Sequence, residues 1–177
     1  MCTHNRTRSV LAAGLLHHKL RDHTLGVVVE SAGFGPEGLP ATPETVELLR
    51  RAQVDASSHV SRRASGDVVR LADLVIVAER QHVVRLVVEE GGDFGRIFTL
   101  PELRTRLNAL GTLPVNDLAT ALGLLNEGRP RGGSYLQSGV AEVRDPTGGS
   151  SALWDQVWAS IDDACTRVAA FVNRLQR

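Results

Sequence analysis

The sequence predicts an α/β domain, a three-layer arrangement in which a parallel sheet of about four strands carries helices on both faces. Two kinds of segment, which alternate along the chain, predict this class. Short apolar runs rich in β-branched residues alternate along the 177-residue chain with longer segments whose apolar residues have a helical spacing. No internal repeat or linker divides the chain, so we expect one domain over residues 1–177. Strands that alternate with helices run parallel and are joined by right-handed crossovers.

Two apolar runs predict buried strands and a third segment predicts a short strand, and six segments have the spacing or the boundary residues of helices. The first helix carries leucines on one face, at positions 11, 15, 16 and 20. The second has Thr42 as a cap, Pro43 in its first turn and an early acid, Glu44. The predicted strands are 25–31, 71–78 and 96–99. The predicted helices are 9–22, 43–52, 80–90, 101–110, 115–126 and a last helix from residue 151.

Segments rich in Gly and Pro, or in polar residues, predict loops at 33–41, 55–65 and 128–139. Ligands of parallel sheets bind beyond the carboxyl ends of the strands. We therefore expect the loops 2–9, 32–41 and 140–150 to meet at that edge and to form the functional site.

The loop at residues 2–9 is the strongest functional feature of the sequence. It places a cysteine, five residues, an arginine and a serine directly before a helical pattern. Backbone amides in such a loop lack intrahelical acceptors and converge on the position of a doubly charged phosphate. We expect Arg8 to complete this ring with its planar donors, and the positive field to keep Cys2 a thiolate near neutral pH. Ser9 can donate to this thiolate, and Asn5 can tie the loop backbone together.

The order Cys-Thr-x-Asn-x-x-Arg-Ser before a helix resembles the low-molecular-weight protein tyrosine phosphatases, which share their fold with arsenate reductases. The resemblance continues in the same order along nearly the whole chain. It includes Ser-Ala-Gly at 31–33, Ala-Asp-Leu-Val-Ile at 72–76, Glu-Arg at 79–80, Phe-Thr-Leu-Pro-Glu at 98–102 and Asp-Pro at 145–146. It implies a cysteine-dependent phosphomonoesterase, expected to be a protein tyrosine phosphatase, that acts on a phosphorylated protein or on a small phosphomonoester. The residues do not separate phosphotyrosine from phosphoarginine or a small ester.

The resemblance also implies three catalytic residues. Cys2 would attack phosphorus and hold a phosphocysteine, and Arg8 would stabilise the charge on the oxygens, with no metal or cofactor. Asp145 would protonate the leaving group and then activate water, although Asp-Pro-Thr-Gly is also a good turn sequence. The expected substrate-binding residues are Thr3, His4, Asn5, Arg6, Thr7, Ser9 and Phe34.

Four positions depart from the resembled family. Thr7 stands where many members have a second cysteine, and His4 replaces a frequent glycine. Arg6 adds a charge to the expected pocket rim. Thr147 follows the Asp-Pro pair where tyrosine phosphatases often have aromatic residues. Phe34 is therefore the nearby candidate for a wall against a phosphotyrosine ring.

The beginning of the chain gives a further expectation. In the resembled fold the phosphate loop follows a central strand, but only Met1 precedes Cys2 here. We therefore expect the first central strand to be absent from this chain, through truncation or a misplaced start. Loss of a central strand would leave two unpaired ladders and should destabilise the sheet.

Composition argues against several classes of function. The formal net charge is zero, whereas nucleic-acid and anionic-membrane partners favour a basic face. No apolar run has the length of a membrane span. Two cysteines far apart in sequence indicate a reducing compartment, so we expect a cytoplasmic protein. His17, His18 and His23 have no cysteine or acidic cluster beside them, so we expect no metal site.

Two other functions stay open on the sequence. Arsenate could add to the same thiolate, which would make the chain an arsenate reductase. Residues 79–93 contain no cysteine, so turnover would then need a small-thiol partner. The chain could also be an inactive oxyanion-binding or regulatory relic, since a missing strand would leave the loop slack.

Overall fold

A computed structural model of the chain describes residues 1–21, 26–111 and 117–175. No helix in these ranges combines the length and the apolar composition that a bilayer span requires. The helices are α1 (Arg8–Leu20), α2 (Pro43–Arg51), α3 (Gly66–Leu71), α4 (Arg80–Val88), α5 (Leu100–Leu110), α6 (Leu118–Leu125), α7 (Gly133–Gln137) and α8 (Ser151–Val172). The strands are β1 (Val75–Val77) and β2 (Ile97–Thr99), and a 3₁₀ turn spans Phe94–Arg96.

The two strands pair in parallel along their full length. The start of the chain extends this sheet on the other side of β1, because the Ala78 amide donates to the Met1 carbonyl over 3.0 Å. Cys2 then bridges Gly33, and Gly33 bridges Arg63, both in parallel. Cys2 therefore lies near the centre of the sheet, between β1 and Gly33.

The strand predicted over 25–31 is wrong for residues 26–31, and residue 25 lies outside the described ranges. The segment pairs with no strand in the described part of the chain, and Val28 is 82% exposed. Its run of valines has the composition of a buried strand, but a strand also needs a ladder partner and a covered face. The described sheet is consequently smaller than the four strands expected, since its outer pairings are single-residue bridges.

Helices cover both faces of the sheet, which confirms the α/β class with parallel strands. On one face Phe98 belongs to a core with Leu11 of α1, Leu107 of α5 and Ile161 of α8. On the other face Ile97 belongs to a core that includes residues of α3, α4 and α7. Neighbouring residues of a strand point to opposite faces, so these two residues of β2 enter different cores.

The six predicted helices are confirmed as α1, α2, α4, α5, α6 and α8, and residues 22, 115 and 116 of the predictions lie outside the described ranges. Two short helices were not predicted. Ser65 caps α3 by accepting from the Val68 amide over 3.5 Å. The other, α7, lies inside the segment 128–139, for which we predicted a loop.

A buried ion pair explains why the 128–139 segment lies against the sheet. Arg129 Nε donates to Glu102 Oε1 over 2.7 Å, and the guanidinium carbon lies 4.0 Å from the ring centroids of Phe94 and Phe98. Tyr135 of α7 donates its hydroxyl to Glu102 Oε2 over 2.8 Å. A buried charge is costly without such partners. The contacts therefore hold α7 beside β2 and α5.

Candidate active site

The loop over residues 2–7 turns at Asn5, whose φ of 51° is left-handed. Asparagine tolerates this backbone because its short polar side chain bonds locally. Its Nδ2 donates to Ser9 Oγ over 3.0 Å and to Ser31 Oγ over 2.9 Å. Its Oδ1 accepts from the Arg62 amide over 2.9 Å, and its backbone carbonyl lies 2.7 Å from His59 Nε2. Asn5 therefore ties the loop to α1 and to two other segments.

The backbone amides of residues 3–7 donate to no backbone or side-chain group in the described ranges. Helix α1 also begins without a side-chain cap, since Thr7 makes no capping hydrogen bond. Unpaired amides at a helix N-terminus carry partial positive charge and bind anions. The loop thus has the donors that a phosphate requires.

Cys2 lies at the start of this loop and is 3% exposed. Its Sγ is 3.1 Å from Ser9 Oγ. Burial alone would raise the pKa of the thiol, but the Ser9 hydrogen bond and the charges of the Met1 amino group and Arg8 outweigh it. The pKa of Cys2 therefore lies below its ordinary value. In contrast, burial in the core raises the pKa of Cys165 to about 12, so of the two cysteines Cys2 is the one suited to a nucleophile.

Arg8 is buried at the start of α1 and makes two ion pairs. Its Nη1 donates to Glu79 Oε1 over 2.6 Å and to the Val143 carbonyl over 3.0 Å. Its Nη2 donates to Asp145 Oδ2 over 2.9 Å. The guanidinium is thus oriented by a carboxylate at the end of β1 and by the 140–150 loop.

Asp145 lies on the 140–150 loop, and its side chain is 46% exposed. Two contacts fix this loop. The Val143 amide donates to the Ala78 carbonyl over 2.9 Å. Glu142 Oε1 accepts from the backbone amide and from Nε of Arg80, over 2.8 and 3.0 Å. The loop is therefore held at the carboxyl end of β1, as the rule for parallel sheets predicts.

A cavity of about 350 Å³ opens between the loop over residues 2–7 and the 140–150 loop. The predicted 32–41 loop lines no part of it; the amides of Phe34 and Gly35 instead donate to the Thr3 carbonyl. No group of three or more His, Cys, Asp or Glu side chains suited to a metal ion lies among the described residues. The cavity is lined by Thr3, His4, Arg8, Glu79, Glu142, Val143, Arg144 and Asp145.

The predicted site residues fall into three groups. The first group lines the cavity and consists of Thr3, His4, Arg8 and Asp145. The second group is buried in and beneath the loop and consists of Cys2, Asn5, Thr7 and Ser9. The third group, Arg6 and Phe34, lies outside the cavity.

The side chains of Arg6 and Phe34 contact other residues of the protein outside the cavity. Arg6 Nε donates to the Pro40 carbonyl over 2.7 Å, so its charge does not stand on the cavity wall. The Phe34 ring stacks on His82 with 4.9 Å between ring centroids, and the Arg85 guanidinium lies 4.7 Å from its centroid. The His82 imidazole therefore covers the Phe34 ring that we expected a substrate ring to contact.

Sequence reasoning missed the roles of Glu79, His82, His59 and Ser31. Glu79 had a usable signal, because it directly follows a buried strand whose carboxyl end faces the site. His82 had none: it lies in the first turn of α4, and its Nε2 is 3.3 Å from Thr3 Oγ1. Burial lowers the pKa of His82 to about 4, despite the opposing effect of Glu79.

Together these features define an α/β fold in which a cysteine with a lowered pKa lies beneath a loop of amide donors, and an arginine and an aspartate line the adjacent cavity. The family model described as low molecular weight phosphotyrosine protein phosphatase matches residues 1–113. The chain belongs to this family, and its relatives are named as phosphatases, which are hydrolases. The family predicted from the sequence is thereby confirmed.

Relatives of two substrate types are similar to the chain. A protein-arginine-phosphatase of Bacillus subtilis is 34% identical over 178 aligned positions, which cover 100% of this chain and 97% of the relative. The probable low molecular weight protein-tyrosine-phosphatase EpsP of Ralstonia nicotianae is 33% identical over 104 residues, 58% of this chain and 69% of the relative.

Solved structures share the fold. A YwlE mutant from Bacillus subtilis superposes with a TM-score of 0.70 at 25% identity, covering 97% of this chain and 94% of that one. The low molecular weight protein tyrosine phosphatase from T. tengcongensis gives 0.69 at 23% identity, over 96% and 95%.

We expect Asn5→Ala to weaken the binding of inorganic phosphate at least tenfold, because the loop amides lose the bonds that direct them. The free energy of unfolding should fall by about 3 kcal/mol, since several buried hydrogen-bond partners are left unpaired. Gln53→Ala is the matched control. The backbone of Gln53 is also left-handed, with φ 61°, but its side chain is exposed and it lies outside the loop and the cavity lining. Calorimetric titration and urea unfolding measure both quantities. Wild-type phosphate affinity in Asn5→Ala would contradict the role of this residue.

Proposed function

We propose that the chain is a cysteine-dependent protein phosphatase that works through a phosphocysteine at Cys2. One observation carries the proposal: a thiol with a lowered pKa and loop amides without an acceptor among the described residues lie close to the Arg8 guanidinium, which lines the cavity. A thiolate is the nucleophilic form of cysteine. Phosphoryl transfer otherwise needs mainly positioning and stabilisation of charge, which these donors supply.

In the first step the Cys2 thiolate attacks phosphorus in line with the bond that breaks. The sulfur–phosphorus bond forms as the bond from phosphorus to the leaving oxygen or nitrogen breaks. Arg8 and the loop amides stabilise the charge on the phosphoryl oxygens. Asp145 gives its proton to the leaving atom.

In the second step Asp145 takes a proton from water, and the resulting nucleophile attacks phosphorus. The sulfur–phosphorus bond breaks, inorganic phosphate leaves and the thiolate is restored. The hydrogen bond from Arg8 Nη2 to Asp145 Oδ2 places the Asp145 side chain at the cavity, beside the arginine. A bound phosphoryl group offers Nη2 another acceptor and releases the carboxyl group for proton transfer.

Among phosphorylated side chains, we propose phosphoarginine as the preferred substrate. The cavity lining contains three carboxylates and, within the described residues, no Phe, Tyr or Trp side chain. A guanidinium group is planar and cationic, and it pairs with carboxylates through two parallel hydrogen bonds. Glu142 is placed for this contact, because its Oε2 accepts no hydrogen bond from the described residues. The full-length similarity to a relative named protein-arginine-phosphatase supports the same choice.

Phosphotyrosine is the second candidate. The matched family is described by this substrate. Phe34 lies next to the site, since its amide donates to the Thr3 carbonyl over 2.8 Å. A phosphotyrosine ring would need Phe34 to leave His82 and to form a wall of the cavity.

We expect Cys2→Ser and Arg8→Ala to abolish hydrolysis of p-nitrophenyl phosphate, because each removes an essential part of the phosphoryl transfer. Asp145→Asn should lose about a hundredfold with a poor leaving group and less with p-nitrophenolate, which leaves without a proton. Cys165→Ser is the control and should keep wild-type activity. Mass spectrometry of acid-quenched protein should find phosphate on Cys2.

Undiminished hydrolysis by Cys2→Ser would end the mechanism. Arsenate-dependent oxidation of a thiol pool by a wild-type protein that releases no phosphate would favour arsenate reduction instead.

We expect kcat/KM for a phosphoarginine peptide to exceed that for the matched phosphotyrosine peptide. Glu142→Gln should lower the first value about tenfold and leave the second within twofold, because only the guanidinium uses the carboxylate charge. Glu47→Gln removes an equal charge from a side chain of α2 that is 42% exposed and lines no part of the cavity, so it should change neither value. An equal loss on both peptides, or a preference for phosphotyrosine, would refute phosphoarginine and leave the role of Cys2 intact.

A further inference from the structure

The imidazole of His82 touches three parts of the site although it lines no wall of the cavity. The side chain is 5% exposed. Its Nε2 is 3.3 Å from Thr3 Oγ1 and 3.9 Å from Glu79 Oε1, the same oxygen that binds Arg8. Its ring stacks on Phe34. The ring thus projects from the first turn of α4 and packs between the phosphate loop and the 32–41 loop.

The contacts of the two ring nitrogens decide which one carries the proton. Burial keeps His82 neutral at neutral pH, because it lowers the pKa of the ring to about 4. Nδ1 is buried and has no hydrogen-bond partner in the described ranges. A buried N–H without an acceptor is costly, whereas Nε2 faces two oxygens. The proton therefore belongs on Nε2.

This tautomer fixes the direction of the Thr3 hydroxyl. A hydroxyl group is one donor with two acceptor lone pairs. When Oγ1 accepts from His82 Nε2, its own hydrogen is free to point elsewhere. Thr3 lines the cavity, where no described group takes this hydrogen.

We propose that His82 is a positioning residue that orients the Thr3 hydroxyl so that it donates to the bound phosphoryl group. His82 itself does not touch the substrate. The inference rests on the proposed function for the identity of the anion, but it concerns binding and not turnover. The Thr3 hydroxyl would thus be one side-chain donor to the anion, in addition to the loop amides and Arg8.

The test measures the affinity for inorganic phosphate by calorimetric titration in variants of both residues. Thr3→Val removes the hydroxyl at constant shape, and His82→Phe keeps a ring against Phe34 but removes the donor. Each should weaken phosphate binding about tenfold, as expected for loss of a hydrogen bond to a charged group. The double variant should bind no more weakly than either single variant, because the two residues act through one bond.

Conservative variants give the rescue. Thr3→Ser keeps the hydroxyl, and His82→Gln places an amide N–H where Nε2 stood, so both should bind phosphate within about threefold of wild type. A merely structural role for His82 would not predict this rescue or the lack of additivity. Thermal unfolding identifies a His82→Phe protein that is simply destabilised, and Thr3→Val then decides the question because it leaves the ring in place.

Wild-type phosphate affinity in Thr3→Val would overturn the inference, and so would independent losses that multiply in the double variant. Failure of the proposed function is a different result: a wild-type protein that binds phosphate, responds to these variants and hydrolyses no phosphorylated substrate.

Discussion

The left-handed backbone at Asn5 is the constraint on which the rest of the site depends. At this residue the chain turns between the centre of the sheet and α1, and the amides of residues 3–7 have no acceptor in the part of the chain that the structure describes. A left-handed backbone costs free energy at a residue other than glycine, so the turn needs contacts that stabilise it. Hydrogen bonds to α1, to residue 31 and to residue 62 hold it, and each contributes about 1 kcal/mol. These internal hydrogen bonds therefore set the direction of the loop amides.

Formal charge alone does not explain how this site would hold a dianion. Glu79 and Asp145 already pair with Arg8, and a Cys2 thiolate adds another negative charge nearby. The partial charges of the loop amides and of the α1 N-terminus must supply the difference. Because these dipoles are fixed by the fold, they need no reorganisation when charge develops.

Much of this arrangement follows from local sequence. The spacing from Cys2 to Arg8 before a helical pattern predicts the loop, and the Thr42-Pro43 pair predicts the start of α2. The sequence cannot predict contacts that depend on tertiary packing. The valines of 26–31 look like a buried strand, but only their neighbours decide whether a ladder forms. Arg129 looks like a loop residue until Glu102 and two aromatic rings surround it.

The same limit applies within the site. Phe34 has the chemistry of a substrate wall, and only the fold reveals that His82 occupies its face. His82 itself is one histidine among 6, with no pattern that distinguishes it. Glu79 was accessible to reasoning, because acidic residues at the carboxyl end of a parallel strand face the ligand side.

The most direct test of the account is a titration of the Cys2 thiolate by ultraviolet absorbance in a Cys165→Ser background, with and without inorganic phosphate. We predict a pKa for Cys2 clearly below the ordinary value of 9.0, and a rise in that pKa when phosphate places a like charge beside the sulfur. A Cys2 that ionises like free cysteine, with no response to phosphate, would contradict it.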